Sequence, residues 1–62
     1  MIDLKDYKIV EILYFKNSVE IKMSRAYSPD VVLAVSIIKR NGIPQLVITA
    51  NGTIIFQSGI YP

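Results

Sequence analysis

Proton transfer and nucleophilic attack near neutral pH are most often carried by His and Cys, and this chain contains neither. That excludes Ser-His-Asp and Cys-His sites in their usual form. It also removes disulfides and the two commonest transition-metal ligands. The carboxylates Asp3, Asp6, Glu11, Glu20 and Asp30 are scattered along the sequence. Asp3 and Asp6 would share a face if the N-terminus formed a short helix, but such a pair is expected to be solvated. No Gly-rich phosphate loop is present, because Gly42, Gly52 and Gly59 are isolated and each suits a turn. The reading is of a chain that is not an enzyme, with no catalytic residues, no cofactor and no metal.

Positive charge beside aromatic rings is the one other chemistry available. Lys16, Arg25, Lys39 and Arg40 are accompanied by Tyr7, Tyr14, Tyr27 and Tyr61. Cations interleaved with stacking rings are what single-stranded nucleic-acid platforms use. The candidate nucleic-acid-binding set is therefore Lys16, Arg25, Lys39, Arg40 and Tyr27. The net charge of +2 and isoelectric point near 9.1 are compatible with such a ligand without requiring it. Lys39 and Arg40 would equally complement a helix C-terminus. Glu11 and Glu20 would repel phosphate from their own face of the first hairpin.

The elements that must position these groups begin with two hairpins. Lys8 to Lys16 and Val19 to Arg25 are rich in β-branched and aromatic residues and flank Asn17-Ser18. A two-residue turn there puts Val10, Ile12, Tyr14, Val19, Ile21 and Met23 on one face, with Tyr14 opposite Ile21. Gln45 to Ala50 and Thr53 to Ser58 flank Asn51-Gly52, a strong type I′ turn signal. Uninterrupted pairing across it places Leu46, Ile48, Ala50 and Ile55 on one face. Val47, Thr49, Ile54 and Phe56 then fall on the other. Val47, Ile54 and Phe56 are the candidate interface residues, since one layer can cover only one of two apolar faces.

Residues 29–40 carry conflicting signals. Ser28, Pro29 and Asp30 suit the start of a helix, and Lys39-Arg40-Asn41-Gly42 suit its end. The interior Val31, Val32, Val35, Ile37 and Ile38 are β-branched and favour a strand. The boundary signals predict a helix, and an α+β fold in the order ββαββ with an antiparallel sheet. The alternative is an all-β five-stranded barrel or meander, with Asn41-Gly42 closing a further hairpin and Pro44 tempering it.

The same region is similar to parts of three families. Asn41 to Ile48 followed by Asn51-Gly52 resembles the C-terminal half of thioredoxin, which would make Pro44 a cis-proline; the redox Cys pair of that family is absent. Val32-Leu33-Ala34-Val35, Gly42 and Val47 to Gly52 are similar to the first helix and second strand of Alba chromatin proteins. The basic cluster of that family is reduced here to Arg25. Tyr27-Ser28-Pro29 through Gly59 resembles one half of the TATA-binding protein, its two DNA-kinking positions falling on Val32 and Thr49. Three unrelated families on one stretch share a pattern, and the chain is assigned to none.

At 62 residues the chain, 1–62, is a single small domain that buries only roughly 60% of its unfolded surface. Its hydrophobic fraction is 52% and its mean hydropathy +0.40. So many apolar side chains exceed what one small core encloses, and a partner is the simplest cover. The longest apolar run, Val31 to Ile38, is far short of the roughly 20 residues of a spanning helix. The N-terminus does not read as a signal peptide, so a cytoplasmic protein without membrane contact is expected. The expected function is a non-catalytic binding module, homodimeric, with nucleic acid as leading ligand. A protein-binding adaptor or inhibitor using strand edges and apolar surface is the alternative.

Overall fold

The computed structural model describes residues 4–59. The five strands are β1 (Lys8–Tyr14), β2 (Ser18–Ser24), β3 (Val31–Arg40), β4 (Ile43–Ala50) and β5 (Thr53–Gly59). They form one antiparallel sheet in the order β1-β2-β3-β4-β5, each strand pairing with its neighbour in sequence. β1 and β5 make no contact with one another, so the sheet is an open meander and not a barrel.

The predicted helix is absent, and the α+β expectation is overturned. Residues Val31–Arg40 are instead the longest strand and lie at the centre of the sheet. Five of those ten residues are Val or Ile other than the terminal turn formers, and χ1 restriction makes a helix costly for them. The supposed boundary signals serve turns. Ser28 N–H donates to the Arg25 carbonyl at 3.3 Å, which bends the chain before Pro29. Asn41 and Gly42 have φ of 53° and 76°, the left-handed pair of a type I′ turn, and join Arg40 to Ile43.

Pro44 is accommodated in β4 by its register. Arg40 and Ile43 flank the turn as a hydrogen-bonded pair, so the next pair, Lys39 and Pro44, exchanges no bonds. On the other side β5 ends with Gly59 opposite Gln45, one residue short of Pro44. Among the described residues no ladder bond to either neighbour is lost. The described peptide bonds are all trans, which removes the likeness of Pro44 to the thioredoxin cis-proline.

Both expected hairpins form, each with a local correction. In the first, Phe15 N–H donates to the Ser18 carbonyl at 2.8 Å and Tyr14 pairs with Val19 rather than Ile21. The turn is Lys16-Asn17, one residue earlier than predicted. Moving a two-residue turn by one position shifts the pairing by two, so no side chain changes face. Val10 does leave its expected face, because the register shifts between Ile9 and Glu11 in a β-bulge. In the second, Ala50 and Thr53 flank Asn51-Gly52 as expected. A further bulge between Thr49 and Ile48 places Ile55 out of alternation, and Phe56 pairs with Ile48. Phe56 therefore shares a face with Leu46, Ile48 and Ala50, while Val47 and Ile54 point the other way.

The result is one layer. Among the described residues only Val31, Val47 and Ala50 are buried. The radius of gyration is 13.1 Å, against about 10.5 Å for a compact chain of this length.

Candidate binding surfaces

Register assigns each paired strand side chain to one of two faces, because residues directly paired across an antiparallel ladder project to the same side. On one face the pairings run as rows across the sheet. Tyr14, Val19, Val35, Ile48 and Phe56 form a row through all five strands. Ile12, Ile21, Leu33, Ala50 and Thr53 form the next, followed by Ile9, Met23 and Val31. On the other side of the first row lie Ile37, Leu46 and Ser58, then Lys39 and Pro44. Lys39, at one corner, is the only charged strand residue on this face among those described. Ile9, Ile12, Tyr14, Ile37 and Phe56 are all exposed on it, Tyr14 to 77%. Nothing in the described chain covers this apolar face.

The opposite face is mixed. Its rows include Glu11, Lys22 and Val32, then Leu13, Glu20, Ala34, Thr49 and Ile54, then Ser18, Ser36, Val47 and Gln57. Lys22 Nζ and Asp30 Oδ2 approach to 3.8 Å across half-exposed side chains, an ion pair of little energetic weight. Gln57 Nε2 donates to Gln45 Oε1 at 3.3 Å, and Val47, paired with Gln57, is buried beside them. Polar groups separate the apolar ones here, as on an ordinary wet sheet face.

The candidate nucleic-acid residues are divided between the two ends of the sheet. Lys16 lies in the β1–β2 turn, and Lys39 and Arg40 lie at the end of β3 on the same side. β2 begins at Ser18, opposite Ser36, so β3 runs on for four residues without a β2 partner. The Asn17 carbonyl, accepting from Ile37 N–H at 3.0 Å, is the last link there. An open depression follows, lined by Asn17, Ser18, Ser36, Ile37, Ile38 and Lys39. Lys16, Lys39 and Arg40 are exposed and make no ion pair among the described residues.

Arg25 and Tyr27 belong to the opposite end. The Arg25 guanidinium donates to Ser28 Oγ from Nε at 3.1 Å and Nη2 at 3.0 Å, and to the Lys5 carbonyl at 3.4 Å. It also lies 4.7 Å from the centre of the Tyr7 ring. Tyr7 in turn donates its hydroxyl to the Pro29 carbonyl at 3.3 Å. Arg25 thus ties the N-terminal segment to the β2–β3 loop. Tyr27 is fully exposed, with a left-handed φ of 61°. Asp3 and Tyr61 lie outside the described residues.

The candidate interface set is also divided, Phe56 on the apolar face and Val47 and Ile54 on the mixed one. Sequence reasoning missed that Ile9, Leu33 and Ile37 share a face with Phe56, because bulges in β1 and β5 shift the alternation and β3 was assigned to a helix. No group of three or more His, Cys, Asp or Glu side chains converges among the described residues. No protein-family model, curated protein or solved structure matches the chain.

Proposed function

We propose that this chain is a non-catalytic binding module whose working surface is the apolar face of its sheet. The observation that carries this reading is the row Tyr14–Val19–Val35–Ile48–Phe56, apolar across all five strands and flanked on both sides by further apolar rows. Contiguous exposed apolar surface of this extent marks an association site in a soluble protein. The absence of His and Cys from the sequence argues against catalysis at any other place.

The test is an environment-sensitive apolar dye applied at high dilution. Val35→Lys puts a charge in the middle of the face, whereas Ser36→Lys puts it one residue along on the opposite face. Wild type and Ser36→Lys should bind the dye, and Val35→Lys should lose most of that binding while keeping a β-sheet circular dichroism spectrum. Equal dye binding by all three proteins contradicts the reading.

A second reading, nucleic-acid binding, is favoured by the grouping of Lys16, Lys39 and Arg40 at one end with no acidic partner among the described residues. Three phosphate contacts to a single strand give a log–log salt slope of about −2. Reversing the three charges should abolish that slope, and a salt-independent or undetectable association of the wild type with an oligonucleotide removes the reading.

A further inference from the structure

We infer that the occupant of the apolar face is a second copy of this chain, the two sheets packing face to face as a β-sandwich. This rests on the reading of that face as the binding surface and names its partner. Stable domains bury each sheet against another layer, and the described residues supply only one layer. A second identical sheet is the missing layer, at the usual ~10 Å face-to-face spacing.

The surface area fits such a pair. A compact monomer of 7.0 kDa exposes about 4,000 Å² by the scaling of folded proteins, and this chain exposes 4943 Å². The surplus of about 900 Å² is close to the ~800 Å² that each partner contributes to a standard stable interface.

Charge points the same way. A differently charged partner would find little to match on this face, where Lys39, at one corner, is the only charged strand residue among those described. Like-with-like pairing needs only that the two Lys39 avoid each other. A two-fold axis crossing the strands at Val35, the middle of the central strand, sends them to opposite ends. That arrangement is isologous and closes at two copies.

Neighbouring residues of β3 provide the test, because Ile37 and Ile38 face opposite sides and are 51% and 42% exposed in the single chain. The chain has no Cys, so Ile37→Cys and Ile38→Cys each introduce a unique thiol. Thiol labelling rates are measured at tens of micromolar and again at high dilution, with the mass followed by sedimentation. The expected result is a dimer in which Ile37→Cys labels about tenfold more slowly than Ile38→Cys, since reagent reaches only the dissociated fraction. Dilution to monomer should bring the two rates together. A monomer with equal rates at both concentrations overturns the second copy and leaves the face to a different partner. A dimer with Ile38→Cys protected and Ile37→Cys free overturns both the inference and the reading beneath it. A dimer with both thiols free puts the contact at a strand edge and also overturns the inference.

Discussion

Asn41-Gly42 and Asn51-Gly52 share a sequence and nearly a backbone, with φ of 53° and 76° in one and 49° and 85° in the other. Their side chains differ in what they reach. Asn51 Oδ1 accepts from Val32 N–H at 2.9 Å, its own N–H donates to the Val32 carbonyl at 2.9 Å, and Nδ2 donates to the Asp30 carbonyl at 3.5 Å. The Asn51 amide thus continues the β3–β4 ladder one step beyond the Leu33–Ala50 pair. Asn41 has no side-chain hydrogen bond among the described residues. Replacing either Asn by Gly keeps positive φ accessible and adds the same unfolded-state entropy. Asn51→Gly should therefore cost about 1 kcal/mol more than Asn41→Gly, the net worth of a hydrogen bond. Urea unfolding at matched protein concentration checks this, since association would otherwise shift the midpoint. Equal losses would mean that the Asn51 contacts contribute nothing.

At the scale of elements, the hairpins were legible and the central strand was not. Asn51-Gly52 between two β-rich runs identified its turn and flanking pair correctly. Ser28-Pro29-Asp30 and Lys39-Arg40-Asn41-Gly42 misled because helix ends and tight turns draw on the same residues. Both require side chains that satisfy or bend a terminal backbone. The deciding information lay in the interior, where Val31, Val32, Val35, Ile37 and Ile38 lose rotamer freedom in a helix. The bulge that re-aims Phe56 has no marker in Thr53 to Ser58, and a one-residue insertion moves every later side chain to the other face. That is why Val47, Ile54 and Phe56 were grouped together and are now divided. Among the basic candidates, proximity in sequence made Lys39 and Arg40 an obvious pair. Arg25 could not be seen to be occupied by Ser28, Lys5 and Tyr7 without the fold.

For the whole molecule, composition pointed to an apolar excess. A hydrophobic fraction of 52% on 62 residues exceeds what one small core holds, and among the described residues only Val31, Val47 and Ala50 are buried in the single layer. An isolated sheet without a second layer has little to offset the entropy of ordering its chain. Pairing with a copy supplies that layer without any further element, and it adds the free energy of association to the stability of the sheet. Stability should then rise with protein concentration. The most direct measurement is sedimentation equilibrium across a concentration series. The account predicts twice the chain mass of 7.0 kDa at micromolar concentrations, falling toward 7.0 kDa on dilution. A folded species that stays at 7.0 kDa throughout the series would contradict it.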